Sequence, residues 1–175
     1  MQNLEARAKN IRLAIFDVDG VLTSGKLFYG PEGIEYKAFH VQDGQGIKYL
    51  QQSGVEIGII TACTTAIVAK RMQDLGIIHV YMGAKQKVAA YEELKAKLHL
   101  EDEQIAYMGD DIPDLPLISR VGLSMTVPNA PAILQKHAHA VTRAKGGKGA
   151  AREMCELIMQ AQGTLEPLIQ SHLHR

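Results

Sequence analysis

The sequence predicts an α/β fold in which a parallel β-sheet is covered by helices on both faces. Short apolar runs of strand length alternate with segments whose apolar residues recur at helical spacing, a pattern typical of successive βαβ units. The chain has 175 residues, 46% of them apolar, which is enough for one domain with one core. We therefore expect residues 1–175 to form a single domain.

The first elements are a buried strand and a β-hairpin. Residues 11–16 are an apolar run that ends at acidic and glycine residues, as expected of a buried strand. Residues 26–29 and 34–39 flank a Gly-Pro-Glu-Gly turn at 30–33. This arrangement predicts a small hairpin flap over about residues 24–39.

The rest of the chain repeats strand and helix. Apolar spacing and glycine stops predict helices at residues 44–53, 65–75, 85–98, 113–119, 130–137 and 149–162. Apolar runs between them predict strands at residues 55–60, 77–82, 104–108, 121–124 and 139–142. Residues 163–175 have a weak pattern, so we expect a tail that is flexible or docked on a partner.

Charge and cysteine usage narrow the function classes. Lys and Arg together number 19, as do Asp and Glu, so no basic field predicts a nucleic-acid or membrane partner. Cys63 and Cys155 have no ligand or redox spacing, which fits a reducing compartment. The amino terminus carries charges where a signal peptide needs an apolar run. A cytoplasmic location is therefore expected.

Acidic residues follow two of the predicted strands. Asp17 and Asp19 come after the first strand, and Asp110 and Asp111 after the strand at 104–108. Ligands of an open α/β sheet gather where parallel strands end, so these carboxylates should meet. Turn chemistry would explain the first pair, and a helix N-terminus would explain one acid of the second group. A shared site explains all of them, and hard oxygen ligands at that density suit Mg²⁺.

Phosphoryl transfer fits this cluster. A carboxylate can act as a covalent nucleophile, and a second one two residues later can exchange protons with the leaving group and with water. Thr61, at the end of the second core strand, can offer a hydroxyl and a backbone N–H to a phosphate, and Lys87 can offer a charge. Taken singly, such a Thr or Lys is more often a cap or a solvated side chain.

The order of these motifs resembles the haloacid dehalogenase superfamily. The matching pieces are Asp-Val-Asp-Gly-Val-Leu-Thr at 17–23, Thr61, Lys87 and Gly-Asp-Asp-Ile-Pro-Asp at 109–114. The resemblance implies a Rossmann-like sheet, Asp17 as nucleophile and Asp19 as general acid/base. It also implies that Thr61 and Lys87 bind phosphate. The implied Mg²⁺ ligands are the Asp17 side chain, the Asp19 backbone carbonyl and Asp110, with Asp111 and Asp114 in support.

Residues 11–162 resemble the sugar-acid phosphatases of that superfamily, which carry a short hairpin instead of a cap domain and are homotetramers. The pieces that carry this resemblance are Lys-Ala-Phe-His-Val-Gln-Asp-Gly-Gln-Gly-Ile at 37–47 and Gly-Gly-Lys-Gly-Ala-Ala-Arg-Glu-Met at 146–154. The resemblance implies hydrolysis of 3-deoxy-D-manno-octulosonate 8-phosphate in lipopolysaccharide inner-core synthesis. The implied substrate-binding residues are Asp19, His40, Asp43, Gly44, Lys48, Cys63, Arg71 and Lys87.

Two positions depart from the family pattern. Gln42 stands where the family usually has Arg, and Ala62-Cys63 stands where it usually has Gly-Arg. Both departures remove a guanidinium suited to carboxylate or phosphate. A related ester such as a nonulosonate 9-phosphate is therefore an alternative substrate. A non-catalytic oligomeric relative is a further alternative, disfavoured because Asp17 and Asp19 are both kept, and a response-regulator-like domain ranks last.

Overall fold

The computed structural model describes residues 2–33 and 35–174, and it contains the predicted parallel sheet. Six strands lie in the order β5-β4-β1-β6-β7-β8, and every neighbouring pair is parallel. Their bounds are β1 (Leu13–Phe16), β4 (Glu56–Ile60), β5 (His79–Tyr81), β6 (Ile105–Gly109), β7 (Leu123–Thr126) and β8 (Ala140–Val141). All residues of β1, β6 and β7 are buried, as expected for strands covered on both faces.

Helices cover both faces of the sheet. They are α1 (Gln2–Lys9), α2 (Val41–Gln52), α3 (Ala66–Asp74), α4 (Lys87–Leu98), α5 (Leu115–Ile118), α6 (Ala132–His137), α7 (Ala150–Ala161) and α8 (Leu165–Leu173). One layer has α7 packed against α1, α2 and α8, and α5 packs against α4 and α6 in the other. In the described part of the chain, no helix is both long enough and apolar enough to cross a bilayer.

The hairpin flap lies between β1 and α2. It consists of β2 (Phe28–Tyr29) and β3 (Glu35–Tyr36), which pair antiparallel around a short 3₁₀ turn at Pro31–Gly33. The turn places Gly33 at a φ of 77°, in the left-handed region that glycine enters without strain. Within residues 2–33 and 35–174, this flap is the element found where a cap domain would be inserted.

Several elements differ from the sequence prediction; helix α2, for example, begins at Val41 and not at residue 44. Residues 2–9, for which nothing was predicted, form α1. Residues 163–175 were expected to be a flexible or docked tail, but α8 occupies Leu165–Leu173 because Leu165 and Leu168 pack against the core. Strand β7 begins at Leu123 and not at Val121, because the Gly122 N–H donates to the Asp102 carbonyl oxygen (2.7 Å) before pairing with β6 begins.

Candidate active site

A cavity lies at the carboxyl edge of the three central strands. Asp17 follows β1, Thr61 follows β4 and Asp110 follows β6, and these strands are neighbours in the sheet. The cavity has a volume of about 230 Å³. Its charged lining residues are Asp17, Asp19, Lys87, Asp110, Asp111 and Asp114. The fold therefore brings the acidic residues of both sequence motifs, together with the predicted lysine, into one place.

A buried lysine links two of these carboxylates. Lys87 begins α4, and its Nζ lies 2.7 Å from Asp17 Oδ2 and 2.5 Å from Asp114 Oδ1. Burial lowers the pKa of Lys87, but the charges of Asp17 and Asp114 outweigh burial and raise that pKa above its usual value. Lys87 is therefore a fixed positive charge at the floor of the cavity, held by its contact with Asp114 as well as by the predicted nucleophile.

Asp114 organises the loop that follows β6. Its Oδ2 accepts the backbone N–H groups of Asp110 (2.9 Å) and Asp111 (3.1 Å), and its Oδ1 accepts the hydroxyl of Tyr107 (2.6 Å). A Cβ at Gly109 would overlap the Asp114 carboxyl group, so glycine is required there. Tyr107 could not be selected from the sequence, because a fully buried tyrosine inside an apolar strand gives no sign that its hydroxyl serves the site.

Three carboxylates lie close enough to share a cation. Oxygens of Asp17, Asp110 and Asp114 all lie within 4.8 Å of one another. Burial, together with the charges of Asp17 and Asp114, raises the pKa of Asp110 to about 7. Burial also raises the pKa of Asp17 to about 6, against the lowering effect of Lys87. Without a cation the ionised carboxylates of this cluster repel one another, and a bound cation would relieve that repulsion.

The donor set fits Mg²⁺. Each Asp114 oxygen accepts two hydrogen bonds, whereas each Asp17 oxygen has a single partner, the Val18 N–H or Lys87 Nζ. Asp17 and Asp110 are therefore the carboxylates that keep a lone pair for a metal. Asp19, the third predicted ligand, does not place its carboxylate in this cluster, in keeping with a ligand role through its backbone carbonyl. Two carboxylates, a carbonyl and water suit a small, hard cation that retains part of its hydration. Gly20 has a φ of 81°, and a Cβ there would overlap the Asp110 carboxylate.

Asp19 is held by a lysine of the hairpin that was not among the predicted site residues. Its Oδ1 lies 2.6 Å from Nζ of Lys37, which follows β3 of the hairpin. In the sequence, Lys37 stands out only as the first residue of the family segment at 37–47, because no local pattern links it to a partner 18 positions away. The contact joins the hairpin to the loop after β1.

Thr61 follows β4 as predicted, and its hydroxyl, but not its backbone N–H, can donate to a phosphate. Its backbone N–H donates to the Tyr81 carbonyl oxygen (3.0 Å), so the expectation that this N–H binds phosphate is wrong. The hydroxyl accepts the N–H of Cys63 (3.2 Å) and keeps its own proton to donate. Cys63 Sγ lies 3.2 Å from Thr65 Oγ1, and Ala62 lines the cavity.

Four of the predicted sugar-acid residues gather away from the acidic cluster, where the start of α2 faces α3. His40, Asp43, Gly44 and Arg71 line a second, nearly filled cavity of about 10 Å³. A Cβ at Gly44 would overlap the Arg71 guanidinium, which lies over the Phe39 ring. His40 Nδ1 and Arg71 Nε are buried and have no hydrogen-bond partner among the described residues.

Two of the predicted substrate residues are placed differently. Asp43 is buried, and its carboxylate accepts the N–H groups of Gly149 (3.1 Å) and Arg152 (2.9 Å) at the start of α7. This is helix capping across the fold, which gives Asp43 a structural function. Lys48 is exposed on α2 and, within the described ranges, lines neither of the two cavities.

An acidic cluster with a buried lysine, at the carboxyl edge of a parallel sheet, defines an enzyme of phosphoryl transfer. A family model described as haloacid dehalogenase-like hydrolase matches residues 72–154. The 3-deoxy-D-manno-octulosonate 8-phosphate phosphatase KdsC of Yersinia pestis is 49% identical over 91% of this chain and 86% of its own length. The chain therefore belongs to the haloacid dehalogenase-like hydrolases, and it is a phosphatase of that family.

Solved structures agree with this assignment. A structure described as a YrbI-family phosphatase from Pseudomonas syringae has a TM-score of 0.97 and 53% identity, over 99% of this chain and 98% of that chain. The 3-deoxy-D-manno-octulosonate 8-phosphate phosphatase of Moraxella catarrhalis, in complex with magnesium, phosphate and the sugar acid, has a TM-score of 0.96 and 41% identity. That match covers 98% of this chain and 99% of the other.

Proposed function

We propose that this enzyme hydrolyses 3-deoxy-D-manno-octulosonate 8-phosphate to the free sugar acid and phosphate, with Mg²⁺ and through a phospho-aspartate on Asp17. The observation that carries the proposal is the cavity that Asp17, Asp19, Lys87 and Asp110 share. Relatives named for this ester, at 49% and 41% identity over nearly the whole chain, support the choice of substrate. The reaction would belong to lipopolysaccharide inner-core synthesis.

Asp17 and Asp19 divide the chemistry. An Asp17 carboxylate oxygen attacks phosphorus, the bond from phosphorus to the sugar oxygen breaks, and Asp19 gives its proton to that leaving oxygen. Asp19, now ionised, then takes a proton from a water molecule that attacks the aspartyl phosphate. The products are inorganic phosphate and a regenerated Asp17. Contact with Lys87 favours the ionised Asp17 that the first step needs, since the pKa of Asp17 is otherwise raised by burial.

Lys87 and the Thr61 hydroxyl are the groups that would hold the phosphoryl oxygens. Lys87 is kept in place by Asp114, which Tyr107 and two backbone N–H groups hold in turn. Such support fixes the position of a charge before substrate binds, which is how preorganised groups lower a barrier.

Magnesium would be held by the Asp17 and Asp110 carboxylates and by the Asp19 carbonyl. When bound, it neutralises phosphoryl charge and lessens the repulsion between an anionic nucleophile and an anionic ester. The clustering of carboxylates with raised pKa values supports this assignment, because these groups are hard to keep ionised without a cation.

His40, Gly44 and Arg71 are our candidates for the sugar-acid end of the substrate. Arg71 Nε has no partner among the described residues and is a donor that a carboxylate or a hydroxyl could satisfy, and the unpartnered His40 Nδ1 can donate or accept according to its tautomer. We also propose a cytoplasmic homotetramer. Leu27, Phe28 and Tyr29 of the hairpin are 51%, 52% and 69% exposed, an apolar surface that a neighbouring copy could cover.

A nonulosonate 9-phosphate is the second candidate substrate. It is favoured by Gln42, which stands where the family usually has Arg, and by Ala62-Cys63, which stands where the family usually has Gly-Arg. Ala62 lines the cavity. The test is kcat/KM with Mg²⁺ for the octulosonate ester, a nonulosonate 9-phosphate and simple hexose phosphates. A preference of about tenfold for the octulosonate, about 1.4 kcal/mol in transition-state binding, is expected. A flat profile or a preference for the nine-carbon ester would overturn the assignment.

A further inference from the structure

A lysine of the hairpin is buried against the proposed acid/base. The Lys37 side chain is 1% exposed, and its Nζ lies 2.6 Å from Asp19 Oδ1 and 2.7 Å from Glu35 Oε1. The Asp19 side chain is 37% exposed, so the lysine contacts it from the protein side. An ammonium group is costly to bury unless it is paired, and here two carboxylates pair with it.

Two carboxylates hold the ammonium group of Lys37, since its Nζ lies within hydrogen-bond distance of both Asp19 and Glu35. Charge-assisted hydrogen bonds of this length are stronger than neutral ones and more directional. The position of the Lys37 ammonium group is therefore fixed by two ion pairs.

The geometry leaves one oxygen of Asp19 for chemistry. Among the residues that the structure describes, Lys37 and the Thr23 hydroxyl (3.5 Å) both contact Oδ1 of Asp19. Holding Oδ1 fixes the rotation of the carboxyl group, and Oδ2 is then the oxygen that can carry the exchanged proton. A third group that orients an acid or base in this way is a general feature of such sites.

The hairpin touches the site at both of its ends. Gly25, before β2, lines the active-site cavity, and Lys37, after β3, contacts Asp19. A lysine whose only role was to attach the hairpin to the domain could contact any part of the loop after β1. This one contacts the carboxylate itself, and Glu35 on the same hairpin holds its ammonium group in place.

We propose that Lys37 is a positioning residue, which holds Asp19 Oδ1 so that Oδ2 faces the leaving-group oxygen. The inference rests on the proposed function, since it takes Asp19 to be the proton donor. It assigns to the hairpin a part in catalysis: the loss of Lys37 should impair proton transfer to the leaving group more than attack on phosphorus.

Leaving-group dependence tests this role. The esters are p-nitrophenyl phosphate, whose leaving group needs little protonation, and two alkyl esters, a hexose phosphate without a carboxylate and the octulosonate ester. The quantity is kcat/KM, which reports the steps up to formation of the phospho-enzyme. For Lys37→Met we expect a loss of about 10- to 100-fold on both alkyl esters and of less than about threefold on the aryl ester.

The controls separate orientation from folding. Lys26→Met makes the same change at an exposed lysine of the hairpin, and it should leave all three kcat/KM values unchanged. Lys37→Arg keeps the charge and should retain most of the alkyl-to-aryl ratio. If circular dichroism shows that Lys37→Met does not fold, Lys37→Gln replaces it with the same expectation.

Each outcome has a separate meaning. Asp19→Asn should show the same selective loss on alkyl esters as Lys37→Met, and a larger one. If Asp19→Asn shows it and the folded Lys37 variant loses equally on all esters, the positioning role is wrong and the proposed function stands. A loss confined to the octulosonate ester would make Lys37 a ligand of the substrate carboxylate and would also overturn the proposal. If Asp19→Asn shows no leaving-group dependence, the acid/base assignment falls, and Lys37 has nothing to position.

Discussion

Replacing Asp110 by asparagine should stabilise the metal-free protein while removing its response to Mg²⁺. Burial and the neighbouring charges of Asp17 and Asp114 raise the pKa of Asp110 from 3.8 to about 7. A carboxyl group whose pKa is raised by folding destabilises the native state wherever it is ionised. Asparagine keeps the shape and removes the charge, so the penalty disappears.

The magnitude follows from the displacement of the pKa. At about 1.4 kcal/mol per pKa unit, a pKa displaced from 3.8 to about 7 corresponds to about 4 kcal/mol at pH 8. Asp17 shares the repulsion, and solvent screens part of it, so we expect a gain of about 2 kcal/mol in the free energy of unfolding. The gain should shrink as the pH falls from 7 towards 4, because Asp110 then becomes protonated in the folded wild-type protein.

The assay is urea unfolding of wild type and variant in the presence of a chelator, at pH 8 and at pH 5, and again with millimolar Mg²⁺ at pH 8. Mg²⁺ should stabilise the wild type and leave Asp110→Asn nearly unchanged, which reverses their order of stability. Asp111→Asn is the matched comparison: Asp111 is exposed and raises the pKa of Asp110 less than Asp17 and Asp114 do, so its replacement should give a smaller gain and keep the response to Mg²⁺. An Asp110→Asn protein that is no more stable than wild type without metal, or that gains as much from Mg²⁺, would refute the reasoning.

Three further perturbations follow from the contacts. Tyr107→Phe removes a hydrogen bond to Asp114 and should cost about 1–3 kcal/mol in unfolding free energy. It should also lower kcat, because Asp114 holds Lys87 in place, and a variant with the kcat and stability of wild type would contradict this role of Tyr107. Asp102→Asn should cost about 1–2 kcal/mol in unfolding free energy at pH 7, because three side-chain hydrogen bonds outweigh burial and lower the pKa of Asp102 to about 2. The cost should vanish as the pH falls from about 4 to 2, and a difference in urea midpoint that does not change with pH would contradict this reasoning. Deleting residues 163–175 should lower the Tm, since two leucines of α8 pack on the core, and should change KM or kcat if the segment serves a neighbour's site. An unchanged Tm with unchanged kinetics would show that the segment contributes to neither stability nor catalysis.

Strand ends explain why much of the site could be predicted. Asp17 and Asp110 follow β1 and β6, and parallel strands that are neighbours in a sheet bring their carboxyl ends together whatever the loops do. Lys87 was predicted from its order in the motif, and its position at the start of α4 places it at the same edge of the sheet.

The rest depends on contacts between distant segments. The family resemblance implies that Asp43 binds substrate, yet its carboxylate accepts the N–H of Gly149 at the start of α7, 106 positions away. Lys37 carries no pattern that separates it from a solvated lysine, and only the folded hairpin places it beside Asp19. Helix α8 has apolar residues at helical spacing, Leu165, Leu168, Ile169 and Leu173, but tertiary packing decides whether so short a segment forms a helix.

The central claim is that Asp17 becomes phosphorylated during turnover. Rapid acid quenching of enzyme with the octulosonate ester and Mg²⁺, followed by borohydride reduction, converts an aspartyl phosphate to homoserine, which mass spectrometry locates in a peptide. We predict homoserine at position 17 in wild type, and neither label nor turnover in Asp17→Asn, which should fold normally. Turnover in wild type with no label at position 17, or substantial activity in pure Asp17→Asn protein, would contradict the covalent mechanism.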